Sequence, residues 1–524
     1  MSTKITSSKH LATNHDTDVV KIKTERNGLG LLKTLIIVLV IALQFAFALL
    51  SYLYVFSAFR YLQLFSYAMT IATCIYVLSS NKNSQSKPIW ILFLILCSSF
   101  GYIVYILCNE KVFWGSHKKR YNNILNKSYQ FQNNTDLKTT NPAVKSDCEY
   151  LNSAGNFATY SNTISKYYPS GATLFDDVLN DIDKAKNFIF IEFFIISDGV
   201  LLNRIIEKLE KKVSEGVDVR IIYDDLGSHG TFKLKTKKRI KNAGIKLYSF
   251  NKILPWFSAI LNYRDHRKMV IIDGKIAYTG GTNLADEYVN EKRMHGYWKD
   301  AGIRLDGPAV DGFTLMFLRQ WEFVTKKSEH FSNYLNLANK HSNTSLFVPY
   351  ADGLEYEANL GKNAYTNMIA NANKKLFIMS PYFVIDDTIT NLLISKAKSG
   401  VDVRIILPEI ADKKIVYIIS RNNAEKLTSH GVKLYTMKNS FVHTKVMMNE
   451  HAAIIGSINM DLRSFYQQFE CAIYTNDKQI MSQLELDFED TFKKSNQIEG
   501  KLLKRNDISF RIVAGIVNLI SPFM

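Results

Sequence analysis

Two short runs of the chain carry side chains that can do chemistry together. His266 and Lys268 are followed by Asp273, and His443 and Lys445 by Glu450, each carboxylate five residues after its lysine. Pooling Lys with Arg and Asp with Glu, a chain of this composition yields about 0.1 such matches by chance. Each run leads into a glycine-containing turn and an asparagine, Gly280 to Asn283 and Gly456 to Asn459. On a strand, residues two apart share a face, so His266 projects beside Lys268 and His443 beside Lys445. An imidazole next to an ammonium suits a phosphate. The lysine neutralises phosphoryl oxygens, and the histidine attacks phosphorus or moves a proton. With the copies face to face, one histidine forms a phospho-histidine and the other protonates the leaving oxygen. Two histidines and two lysines supply the positive charge, so the site is expected to need neither metal nor cofactor. Asn283, Ser457 and Asn459 are expected to donate to phosphate oxygens. An attacking histidine needs its other ring nitrogen held by an acceptor. Asp300 is the candidate for His266, and Glu470 the candidate for His443. Asp273 also has a structural reading, as the turn of a hairpin between 269–272 and 275–278, and Glu450 shares it.

The elements that position these residues are duplicated. The seven residues from Gly216 to Ile222 recur identically from Gly400 to Ile406. Upstream of each copy lies a β-rich run, 188–196 and 376–383, then a helical pattern, 201–214 and 388–398. Downstream, Lys246 to Tyr248 and Lys433 to Tyr435 each follow a glycine that can end a helix. Strand, helix, strand, helix, strand implies an α/β fold. The expectation is two similar lobes, 166–340 and 341–498, with mostly parallel sheets related by a pseudo-twofold. Ligand sites in such arrangements lie where the halves meet.

Lys and Arg outnumber Asp and Glu by 65 to 48, for a formal charge of +17. That excess points to an anionic partner, nucleic acid or an acidic membrane surface. Five cysteines without a CxxC exclude a disulfide framework and a zinc site as the organising principle. Three apolar runs, 34–55, 61–79 and 88–108, contain no Asp, Glu, Lys or Arg. Each is long enough, at about 28–33 Å, to cross a hydrocarbon core. Residues 1–33 form a basic tail, 34–110 a transmembrane region of two or three helices, and 111–165 a polar connector. The basic tail argues for a cytoplasmic N-terminus. Yet Lys111, Lys118, Lys119 and Arg120 follow the third run, and three spans cannot put both basic clusters on one side. Either one run is re-entrant or interfacial, or one cluster breaks the rule; the catalytic lobes are read as cytoplasmic. Residues 499–524 pattern as an amphipathic segment suited to anionic lipid, or as a helix packed on the domain. An insertion before His266, from Ile253 to Leu261, reads as a core-packing loop or an apolar lip for lipid chains.

The paired His-x-Lys arrangement resembles the phospholipase D superfamily. The similarity runs through Asn262 to Lys268, Ile272 to Gly274, Asn283 to Tyr288 and Tyr297 to Asp300, and then Ser380 to Phe383, His443 to Met447 and Asn459 to Phe465. It is similar to the bacterial cardiolipin synthases within that superfamily, from about residue 88 onward. The resemblance implies a reaction at a cell membrane by a multi-pass protein, without nucleotide or metal. Two phosphatidylglycerol molecules, one donor and one acceptor, become cardiolipin and glycerol. It also implies that Asp300 and Glu470 orient the histidines, with His266 as nucleophile and His443 as acid then base, or the reverse. The superfamily leaves other outcomes open: a lipid hydrolase, transfer to another alcohol, or a nuclease, against which the apolar runs argue. A non-enzymatic scaffold is disfavoured because both His-Lys pairs are intact. Three departures stand out. Glu450 replaces an Asp, the second motif is one residue short, and Gln467-Gln468 precedes Phe469-Glu470 in place of Leu-Asn.

Overall fold

The computed structural model describes residues 59–80, 86–97, 101–107, 110–132, 137–253, 263–353, 355–356 and 359–498, with isolated positions between 39 and 54. Most of the first apolar run, most of the insertion before His266 and the segment 499–524 lie outside the described residues.

The duplicated sequence builds two sheets that match strand for strand. The first contains β1 (Ile164–Tyr168), β2 (Phe188–Phe193), β3 (Asp218–Asp224), β4 (Lys246–Phe250), β6 (Lys268–Ile272), β7 (Ile276–Gly280) and β9 (Gly302–Asp306). Two short strands, β5 (Arg264–Asp265) and β8 (Tyr297–Lys299), leave this sheet. Its order is β1-β9-β7-β6-β2-β3-β4. The second contains β10 (Phe347–Asp352), β11 (Lys375–Met379), β13 (Asp402–Pro408), β14 (Lys433–Met437), β16 (Val446–Asn449), β17 (Ala453–Gly456), β19 (Gln468–Thr475) and β20 (Ser495–Ile498). β12 (Phe383–Val384), β15 (Ser440–Val442) and β18 (Met460–Asp461) pair elsewhere. The order β10-β19-β17-β16-β11-β13-β14 reproduces the first sheet, with β20 added at the edge.

The repeated heptapeptide is structural. Gly216 and Gly400 have φ of +88° and +91°, the left-handed stop that ends the preceding helix. The Asp and Arg two residues apart then bond along one strand face, Arg220 Nε to Asp218 at 2.8 Å and Arg404 Nε to Asp402 at 2.9 Å. Along the strand order of each sheet, the crossover units β2–β3–β4 and β11–β13–β14 are parallel; the short strands β5, β8 and β12 also pair parallel, with β19, β15 and β18. The expected mostly parallel sheets are therefore mixed. Each His-Lys motif opens a hairpin, β6–β7 and β16–β17, and a tight turn can join only antiparallel strands. β9 and β1, β19 and β10 continue that antiparallel half.

The largest apolar cluster takes side chains from both lobes, among them Phe190, Phe317, Phe377 and Ile454. The helix Val310–Thr325 is buried along most of its length there. The region read as a polar connector is part of this core. It forms two helices, Glu110–Tyr129 and Pro142–Gly155. Their Tyr121, Ile124, Leu125, Val144, Cys148 and Leu151 are buried in the shared cluster, at helical spacing.

Of the apolar runs, the second is one helix, Arg60–Ser79, whose 61–79 stretch is long and apolar enough to cross a membrane. The third is two helices, Lys87–Leu96 and Gly101–Leu107. The rings of Trp90 and Tyr105 lie 5.0 Å apart. Fifteen residues of continuous helix would hold them about 22 Å apart. The third run therefore turns back on itself rather than forming one span, and Leu94 and Tyr105 pack on Val77 of the preceding helix.

Candidate active site

The short strands that leave each sheet build the site. β5, just before His266, pairs with β19 of the other lobe, and β15, just before His443, pairs with β8 of the first. The backbone N–H of His266 donates to Phe469 O at 2.8 Å, and that of His443 to Lys299 O at 2.7 Å. Each histidine is thus anchored on the residue that precedes the opposite lobe's carboxylate. His266 Nδ1 lies 2.9 Å from both oxygens of Glu470, and His443 Nδ1 lies 2.7 Å from Asp300 Oδ2. The expected pairing of Asp300 with His266 and Glu470 with His443 is corrected: the couples cross between lobes, because the strand exchange brings each carboxylate to the partner motif.

Both imidazoles line one cavity of about 310 Å³ between the lobes. Burial and the ammonium of Lys268 hold the His266 imidazole well below its usual range. Burial and Lys445 push His443 down to about 4, against the pull of Asp300. Burial pushes the Glu470 carboxyl up, while Lys268 and the Ser457 hydroxyl oppose it. The lysines sit beneath the histidines. Lys268 Nζ donates to His266 O and Lys445 Nζ to His443 O. Burial lowers Lys268 to about 8 and Lys445 to about 7. A negative charge arriving nearby would push both back up.

The remaining expected residues divide. Asn283 and Asn459 line the cavity. Asn283 is engaged, accepting from Ile195 N at 3.1 Å and donating to the Tyr288 hydroxyl at 2.8 Å. Ser457 instead donates to Glu470 and accepts from Cys471 N at 3.0 Å, so it braces the carboxylate. Asp273 and Glu450 are held away from the histidines. Asp273 accepts from the N–H groups of Lys186, Asn187 and Phe188 at 2.7–2.9 Å. Glu450 accepts from those of Asn373, Lys374 and Lys375 at 2.7–3.4 Å. The geometry supports the structural reading of both and not direct catalysis.

It also accounts for two departures at once. The first turn places Asp273 and Gly274 at φ of +54° and +63°, where Asp is tolerated. The second turn is one residue shorter and needs no positive φ at Glu450. The extra methylene of Glu then reaches the same set of backbone donors from the tighter turn.

Sequence reasoning missed the walls. Tyr288, Trp298 and Phe441 ring His443, with centroids 5.1, 5.3 and 5.8 Å from the imidazole. Phe194 lies 5.0 Å from His266. Tyr382, Asp412, Lys413, Asp461 and Arg463 are among the lining residues on the second lobe's side. The one available signal was position: Trp298 and Phe441 each stand two residues before one already singled out, Asp300 and His443.

Two lobes of one strand order, each giving the histidine of a His-x-Lys motif to a shared cavity, define a phospholipase D-like phosphoryl-transfer protein. A family model described as "Cardiolipin synthase, PLD-like domain" matches residues 178–295 and 365–492, one stretch in each lobe. The cardiolipin synthase of Listeria monocytogenes serotype 4b (strain CLIP80459) is 31% identical over 462 residues, covering 86% of this chain and 95% of the relative. An uncharacterized protein of Streptococcus mutans serotype c is 34% identical over 464 residues, covering 87% of this chain and 100% of that one. Among solved structures, phosphatidylserine synthase of Haemophilus influenzae Rd KW20 shares the fold with a TM-score of 0.56 at 13% identity, covering 73% of this chain and 100% of its own. The chain belongs to the cardiolipin synthase family of the phospholipase D superfamily. By class it is a phosphatidyltransferase.

Proposed function

We propose that the protein transfers a phosphatidyl group from one phosphatidylglycerol to the hydroxyl of another, giving cardiolipin and glycerol. The observation that carries this is the pair of crossed His–carboxylate couples facing one cavity. Buried between imidazole and carboxylate, a couple shares one proton. With Ser457 donating to Glu470 and Lys268 close by, that proton rests on His266 Nδ1, leaving the Nε2 lone pair free. His266 attacks phosphorus, an N–P bond forms, and the P–O bond to glycerol breaks. His443, whose pKa rises when the anionic phosphodiester arrives, gives its proton to the departing oxygen. The acceptor hydroxyl then attacks the phospho-histidine while His443 takes its proton. The new O–P bond forms and the N–P electrons return to His266.

The apolar helices support action at a cell membrane. Exposed Leu64, Phe65, Ile71, Ile75 and Leu78 present an apolar face on Arg60–Ser79. With the third run folded back, two spans remain as candidates. The basic tail and the cluster at Lys118, Lys119 and Arg120 then share the cytoplasmic side, together with the lobes.

The test uses full-length protein in phosphatidylglycerol vesicles without nucleotide or added metal. Cardiolipin with stoichiometric glycerol, absent for His266→Ala, is the expected result. Phosphatidic acid alone would replace the transferase reading with a hydrolase, and no turnover in the wild-type protein would overturn it.

A further inference from the structure

The two lobes differ at a position that corresponds in sequence. Four residues after the cavity asparagine, the first lobe has Glu287 and the second has Arg463. In the first lobe the asparagine is fully used, as described above. In the second it is not. Asn459 is 5% exposed, and its Oδ1 is buried without a hydrogen-bond partner among the described residues. Its amide nitrogen donates to the Asp461 carboxylate, which fixes the oxygen on the other side of the group. Arg463 Nε is likewise buried without a partner among the described residues. Both side chains line the cavity that holds His266 and His443, and Arg463 lies close enough to His266 to act on its charge. Lys413 lines the same wall, with its ammonium 5.5 Å from the centre of the Tyr382 ring.

An unused donor on a cation and an unused acceptor thus belong to two residues that line the cavity of the reacting imidazoles. Buried polar groups left unpaired are costly, so this pair specifies its ligand. A phosphate alone would satisfy Arg463 but has no proton for Asn459 Oδ1. A neutral alcohol would satisfy Asn459 and leave Arg463 unmet. We propose that this corner of the second lobe is the acceptor subsite, and that it selects an anionic phosphodiester lipid bearing a free hydroxyl. Arg463 and Lys413 hold the phosphate, and Asn459 Oδ1 receives the hydroxyl proton's hydrogen bond and aims the oxygen. The O–H then turns from Asn459 to His443; as its oxygen bonds to phosphorus and the N–P bond to His266 breaks, its proton passes to His443. The first lobe, with Glu287 in place of Arg463 and Asn283 already engaged, has no such corner. The inference rests on the phosphatidyl-transfer reading, and it turns Asn459 from the phosphate donor expected from sequence into an acceptor for the attacking hydroxyl.

The experiment separates the two half-reactions. Phosphatidylglycerol vesicles are supplied with isotopically labelled glycerol. Exchange of label into phosphatidylglycerol reports transfer to a neutral alcohol, and cardiolipin reports transfer to the anionic lipid. In Arg463→Gln the ratio of cardiolipin to exchanged label is expected to fall about 10- to 100-fold, the worth of one charge-assisted hydrogen bond. Arg463→Lys should recover part of it. An unchanged ratio in Arg463→Gln overturns the proposal. A wild-type protein that neither exchanges label nor makes cardiolipin sinks the transfer reading instead. Should the variants fail to fold, the wild-type protein still decides. Soluble glycerophosphoglycerol should accept the phosphatidyl group with a KM at least about 10-fold below that of glycerol. Equal KM values for the two acceptors overturn the proposal.

Discussion

Lys445 is wholly buried, and burial lowers its pKa from 10.5 to about 7. The protein therefore carries a destabilising ammonium for the sake of the site, and Lys445→Met should reveal it. A shift of that size corresponds to about 5 kcal/mol at about 1.4 kcal/mol per unit. This is a ceiling, since Met also forfeits the bond to His443 O and the attraction of Asp300 and Glu470. The pH dependence isolates the charge. The folded-state pKa lies below the unfolded one, so between about pH 7 and 10.5 the unfolded chain binds the extra proton. Stability contributed through this group is lowest below pH 7 and rises with pH across that window. Integrating from pH 7 to 9 gives about 2 kcal/mol. Urea unfolding of the full chain in detergent micelles, followed by tryptophan fluorescence, would measure it. The wild-type stability should climb by about 2 kcal/mol more than that of Lys445→Met over this interval, with the variant at least as stable at pH 7. Parallel pH profiles would show that Lys445 is not held against its charge, and would refute the reasoning.

The crossed couples predict a crossed pattern of mutational coupling in cardiolipin formation. Glu470→Gln should be strongly non-additive with His266→Ala and near-additive with His443→Ala, while Asp300→Asn should show the opposite; single losses of about 10²–10⁴-fold are expected by analogy with a mis-oriented catalytic histidine. Ser457→Ala, which removes the donor to Glu470, should lower turnover by about 10-fold with little change in KM; a loss confined to KM would restore a phosphate-binding role. Asp273→Ala strands three backbone donors and should cost about 2–3 kcal/mol in urea unfolding while the folded fraction keeps its KM. Glu450→Asp, which restores the usual carboxylate of the family, should also destabilise, by about 1–2 kcal/mol, because the shorter arm cannot span the tighter turn; a stabilised Glu450→Asp would refute that account.

The His-Lys motifs were readable because their chemistry is dense and local, and the two lobes because seven identical residues mark the repeat. Which carboxylate serves which histidine was not readable. Asp300 stands 34 positions from His266 and Glu470 stands 27 from His443, so proximity along the chain favours the wrong partners. The exchange of β5 and β8 between sheets, a matter of tertiary register, decides it. The mixed sheets were partly legible, since the hairpin read at Asp273 already required antiparallel neighbours. The connector was misjudged on composition: its Asn and Lys residues hid an apolar stripe at Tyr121, Ile124 and Leu125. In the third apolar run, length suggested a span, yet Gly101, where the second helix begins, stands in its middle. The aromatic ring around His443 had no sequence signature, because an apolar wall and an apolar core use the same residues.

The exchange of strands and carboxylates makes the two halves interdependent in a way that duplication alone would not. Neither half owns a complete acid–base couple, so each half by itself holds a histidine without its orienting carboxylate. A damaging change in one half is felt at the reactive group of the other, and the repeats cannot drift apart as independent modules. The arrangement is that of a symmetric two-subunit interface drawn into a single polypeptide. Separately expressed halves would be silent alone and regain chemistry only on reassociation.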